Sequence, residues 1–198
     1  MSPKSLKRYS TLALCLLFCS PVWAHSGLVG MRAVWDGALH VLATPLSLAA
    51  LVGACTVLTG AHERYVLALS LCAAVTAALA FLISSYLPAC TAPAIVAILG
   101  LVGVGAWRLS AGQYFVVAIL AGLAGGLAAD VDAPSSLTIV GVFLAEISVL
   151  FGLLIAYQDL ASVQKLATVL PIAKRVLGSW IAAMGLLMTT LVLYAGKQ

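Results

Sequence analysis

Polar residues cut this chain into long apolar runs. The runs cover approximately 38–60, 64–86, 91–107, 112–129, 137–157 and 176–195. Each is near the roughly 20 apolar residues that a helix needs to cross a bilayer. Ala61-His62-Glu63-Arg64, Leu87-Pro88, Arg108, the stretch from Ala129 to Ser136 and that from Gln158 to Arg175 separate them. The pattern predicts an all-α bundle of six transmembrane helices, forming one domain over residues 25–198. Pro45 falls inside the first run and should bend its helix, because proline has no N–H to donate. Gly122 and Gly126 form a G-x-x-x-G pair in the fourth run with Gly125 beside them, and Gly100, Gly103 and Gly105 mark the third. Small residues let helix backbones approach closely in lipid, within one chain or between chains.

Residues 1–24 read as a signal peptide. Lys4, Lys7 and Arg8 are its basic region, TLALCLLF its apolar core and Val22-Trp23-Ala24 its cleavage site. Phe18 before Cys19 argues against a lipoprotein site. The alternative, an uncleaved first helix, suffers from the shortness of that core. Cleavage after Ala24 makes His25 the mature N-terminus. Lys and Arg counted over short loops give the orientation. With the mature N-terminus outside, the inner loops hold Arg64, Arg108, Lys165, Lys174 and Arg175, and the outer side only Arg32 and Lys197. The expected location is therefore the bacterial inner membrane, multi-pass, with a periplasmic N-terminus.

Composition supports the membrane class. Hydrophobic residues make up 64% of the chain and charged residues 8%, and mean hydropathy is +1.17. A soluble domain carries roughly 25% charged residues, so this chain cannot dress a water-facing surface. Beyond the leader's Cys15 and Cys19, Cys55, Cys72 and Cys90 are scattered with no C-x-x-C pair, which points to packing and away from redox chemistry.

Few residues carry chemistry. Glu146, in GVFLAEISVLFGLL, lies near the middle of the fifth run. An acid at that depth costs about 2.5 to 3.5 kcal/mol on insertion scales. Two readings stand: a cation or proton site facing the bundle interior, or a carboxyl bonded to a neighbouring helix that holds the fold together. Asp36 and His40, in GMRAVWDGALHVL, are spaced i, i+4 and share a face if the helix starts early enough. The acid would then orient the imidazole toward a metal or be a ligand itself. Otherwise Asp36 caps the helix, the favoured reading for that residue alone, and His40 snorkels to the interface. Asp130 and Asp132, in GGLAADVDAPSS, close the outer end of the fourth run. They can share a cation if Pro134 and the serines turn the chain there; alone, they read as a solvated loop. Oxygen ligands suit hard cations, and an added imidazole widens the choice to nickel, zinc or cobalt. The candidate metal residues are thus His40, Glu146, Asp36, Asp130, Asp132 and His25. His62, Glu63 and Arg64 read as a topology anchor.

The start Ala24-His25-Ser26-Gly27 after a leader, six spans and GMRAVWDGALHVL together resemble the HupE/UreJ family. That family's first-span pattern runs roughly Gly-x-x-His-x-x-x-Gly-x-Asp-His-Leu-Leu. Gly30, Gly37, His40 and Leu42 match it, while Ala33 stands at its first His and Leu39 at its Asp. In the fifth span Gly141, Phe143 and Ala145 match, and Glu146 stands where the family has Thr. The outer end of the fourth span carries no histidine where the family has a His-rich motif. The resemblance implies a nickel permease associated with hydrogenase or urease gene sets, and the ligand types admit cobalt as the transported metal. It also implies no permanently bound cofactor, and as partners the lipid bilayer, the metal cation, further copies of the chain or metalloenzyme maturation proteins. The competing reading is a non-transporting scaffold or accessory subunit. No nucleic-acid partner is expected. An enzyme is not expected either, for want of an activated nucleophile, a hydrolase metal spacing or a G-x-x-x-x-G-K-[ST] loop.

Overall fold

The computed structural model describes residues 29–105, 109–129, 135–163 and 168–196. They form helices α1 (Val29–Ala43), α2 (Pro45–Leu58), α3 (Val66–Leu82), α4 (Thr91–Gly105), α5 (Ala111–Ala128), α6 (Ser136–Ala161) and α7 (Leu170–Ala195), with short 3-10 turns at Glu63–Tyr65 and Ser84–Tyr86. No strand occurs among the described residues. The proposed leader, residues 1–24, lies outside them.

The first apolar run is not one rod. It belongs to two helices whose axes differ by 68°. Pro45 has no N–H, so the carbonyl of Val41 loses its helical donor. Thr44 breaks the ladder in an extended conformation (φ −85°, ψ 113°) and Pro45 takes the first helical position of α2, where a missing N–H costs nothing. Thr44 N–H still donates to His40 O and Leu48 N–H to Thr44 O, both at 3.1 Å. The expected bend is present, and it is a break in the helix.

Helix α2 is the post around which the bundle is built. It touches α1, α4, α5, α6 and α7, and Ala50, Leu51 and Ala54 are fully buried. The other contacts are made where side chains are small. Gly122 and Gly126 of α5 lie against the carbonyls of Ala73 and Ala77 of α3, so the G-x-x-x-G pair is used within the chain. Gly100 of α4 lies against Ala182 and Gly178 of α7, and Gly185 against Ala97. Gly37 of α1 meets Thr138 and Val142 of α6, while Gly141 meets Val34 and Ala38. At each of these positions a Cβ would strike the neighbouring backbone. This is the close approach that helix pairs in lipid depend on.

Many large apolar side chains point outward. Trp180 is 71% exposed, Leu187 59% and Leu79 58%, a surface that water does not tolerate and hydrocarbon does. Four helical stretches are long and apolar enough to cross a membrane: Glu63–Leu82, Ala111–Ala128, Ser136–Ala161 and Leu170–Ala195. The bent α1–α2 pair is long and apolar enough for a fifth if its two halves form one broken span, and Thr91–Gly105, at 15 residues, is shorter than these. The molecule is built as a helical membrane protein.

Candidate functional site

Helix α6 carries Glu146 into the centre of the bundle. Ser135 sets where this helix starts: its Oγ accepts from Thr138 N–H at 3.1 Å. Glu146 then falls on the turn after Gly141, the residue that seats α6 on α1. Its side chain is 0% exposed, and it is the one acid among the buried described residues. Neither carboxyl oxygen has a hydrogen-bond partner among the described residues. Of the two readings of this acid, the structure gives the inward-facing geometry and no helix-to-helix bond through the carboxyl.

The room for that carboxyl comes from Gly125 of α5. A Cβ at Gly125 would sit 3.0 Å from both Oε1 and Oε2 of Glu146. The same glycine's carbonyl accepts a hydrogen bond from Ser47 Oγ at 3.2 Å. Ser47 is 0% exposed and lies in the first turn of α2, just past the break. Three helices therefore bring a carboxyl, a hydroxyl and a main-chain carbonyl together around one glycine. Sequence reasoning missed Ser47 and took Gly125 for a packing residue. The available signal for Ser47 was a serine two positions after the proline in a mostly apolar run.

Asp36 and His40 do share a helix. The cap reading for Asp36 is corrected, because α1 begins at Val29 and Asp36 lies in its interior, where it is exposed. A cap must precede the first helical turn to reach its free N–H groups. His40 is half-buried in the last turn of α1, one residue short of Val41, whose carbonyl the break leaves without its donor. The seam at Gly37 and Gly141 fixes α1 on α6. His40 lies about 4.5 Å along its axis from that seam and Glu146 about 7.5 Å along the other, at 1.5 Å per residue. No three His, Cys, Asp or Glu side chains come together as a metal cage among the described residues. His25, Asp130 and Asp132 lie outside the described residues. Ala129, immediately before Asp130, is fully buried at the end of α5.

A second polar region lies farther along α6. Thr59, His62, Glu63, Tyr157 and Gln158 line an open depression of about 460 Å³. His62 Nδ1 accepts from Arg64 N–H at 3.3 Å, and the Arg64 guanidinium stacks 4.7 Å from the centre of the Tyr65 ring. The side chains of this loop thus hold one another. Lys174 lies 5.4 Å from the centre of the Tyr157 ring. No protein-family model, curated protein or solved structure matches the chain.

Proposed function

We propose that this protein is a small membrane permease for a cation, with Glu146 as its interior station and His40 at the approach to it. The observation that carries the reading is the fully buried Glu146 carboxyl, whose two oxygens have no hydrogen-bond partner among the described residues. Buried polar groups in folded proteins are nearly all hydrogen-bonded, and an ionisable group at membrane depth is most often part of a transport path. The break at Thr44–Pro45 gives further support, since transporters place their sites at interrupted helices. In this reading the chain has six spans after a cleaved leader, sits in the inner membrane with its N-terminus outside, and is a HupE/UreJ-like protein. Nickel and cobalt are then the first cations to try. No site for a nucleotide is part of this reading, so an ion gradient would drive transport.

The test is cation uptake into proteoliposomes holding the full chain, scanned over a panel that includes nickel and cobalt. Glu146→Gln and His40→Ala are expected to insert at wild-type levels and to lower uptake of whichever cation is carried at least about tenfold. The second reading, a scaffold or accessory subunit, rests on the histidines of the family pattern that this sequence lacks and on its Gly-rich helix faces. Unchanged uptake in both variants, together with a stable complex with a larger partner, would decide for that reading.

A further inference from the structure

The surroundings of Glu146 narrow what it can hold, if the permease reading is right. A dication settling on a single buried carboxylate would leave one positive charge uncompensated in a low-dielectric interior, at a cost of several kcal/mol. Glu146 is the one acid among the buried described residues. The helices packed against α6 are α1, α2, α3 and α5. Their ionisable residues are Arg32, Asp36 and His40 on α1, Cys55 on α2, Cys72 on α3 and Tyr114 on α5. None of them hydrogen-bonds to the carboxyl.

Gly125, which lies against the carboxyl, also brings the Ser47 hydroxyl to this region. Ser47 spends its proton on Gly125 O, which leaves the lone pairs of its oxygen free to accept. Carboxylate and hydroxyl oxygens are hard donors. They suit a hard cation and give nickel or cobalt neither the imidazole nor the thiolate that those metals prefer.

We propose that Glu146 takes up one positive charge at a time, a proton in one state and a hard monovalent cation of the sodium class in the other, so that the protein exchanges the two. On cation entry the carboxyl O–H bond breaks, the proton leaves to the aqueous face that supplied the cation, and the cation takes its place on the oxygens. Net charge at the site is zero before and after. A bare carboxylate is too costly to close off inside the bundle, so the site cannot reset without a passenger. Exchange is therefore obligatory, and uniport is excluded.

The experiment uses the full chain in proteoliposomes loaded with a pH dye and made acid inside. Sodium, lithium, potassium, magnesium, nickel or cobalt chloride is then added outside. Sodium or lithium is expected to alkalinise the lumen at least about tenfold faster than in protein-free vesicles, while magnesium, nickel and cobalt leave it unchanged. Glu146→Gln abolishes the response, and Glu146→Asp retains part of it. Ser47→Ala raises the sodium concentration needed for half-maximal rate at least about threefold, as expected for the loss of one oxygen ligand. Both milder variants are checked for wild-type elution and helicity. Nickel or cobalt entry by the wild type with no proton movement would overturn the exchange proposal and leave the permease standing. No flux of any cation through folded, correctly inserted protein would overturn both.

Discussion

At the scale of single residues, a glycine and an acid define each other. Glu146 was legible in the sequence because an acid in the apolar run GVFLAEISVLFGLL is costly at that depth and so marks itself out. Gly125 was not, because a glycine among glycines reads only as small. Its meaning depends on which face α5 turns to α6, and that is a tertiary fact. Gly125→Ala places a methyl 3.0 Å from both carboxyl oxygens, closer than an ordinary contact, so the carboxyl must move by a few tenths of an ångström. The expected result is at least about fivefold slower cation flux with a stability loss of only about 1 to 3 kcal/mol, the range typical of overpacking in a core. Flux in proteoliposomes and thermal unfolding in detergent measure the two. A large loss of stability with proportionally less protein in the membrane would make Gly125 a packing residue and nothing more. Asp36 shows the opposite limit. Its spacing to His40 was readable, but its role was not, since a helix start is fixed by backbone geometry several residues upstream.

At the scale of helices, the decisive feature is the 68° break between α1 and α2. The sequence announces it through Pro45 but cannot give its size, because the angle is set by how α1 lies on α6 and α2 among its neighbours. Pro45→Ala returns an N–H to the Val41 carbonyl and favours a straighter helix. Treating the two halves as rods of 1.5 Å per residue, straightening lengthens the separation of residues 32 and 59 by about 6 Å. Spin labels at those positions, read by pulsed distance measurements, will show this as a shift or a second, longer component. An unchanged distribution would mean that packing alone sets the bend. The seam at Gly37 and Gly141 was half legible. Both residues match the patterns of the HupE/UreJ resemblance, yet only the fold shows them to be neighbours of each other's helix.

For the molecule as a whole, the helix locations came readily from the sequence and the packing faces did not. Leu51 is fully buried and Leu71 is 39% exposed, although both are leucines in apolar runs. Lipid and protein interior are alike to such a side chain, so hydrophobicity cannot tell inside from outside; small and polar residues carry that information. Topology is testable at the same scale. The excess of Lys and Arg on alternate loops predicts that the turn before α3 faces the cytoplasm and the turn after it the periplasm. In a background without native cysteines, a membrane-impermeant maleimide should label Ser85→Cys in intact cells and Glu63→Cys only after permeabilisation. The reverse pattern would invert the orientation and with it the direction assigned to the path.

The hydrogen bond from Ser47 to Gly125 spans 78 residues of chain. A ribosome adding about 5 to 20 residues per second makes the second partner roughly 4 to 16 s after the first. For that interval the central post must wait in the bilayer, its serine served by little beyond its own backbone, and the surroundings of Glu146 can assemble only once α5 and α6 have been laid down. Assembly of the site is therefore a late event in biosynthesis, and slowing translation between α2 and α5 would prolong an intermediate that already holds its post but not the helices that enclose Glu146.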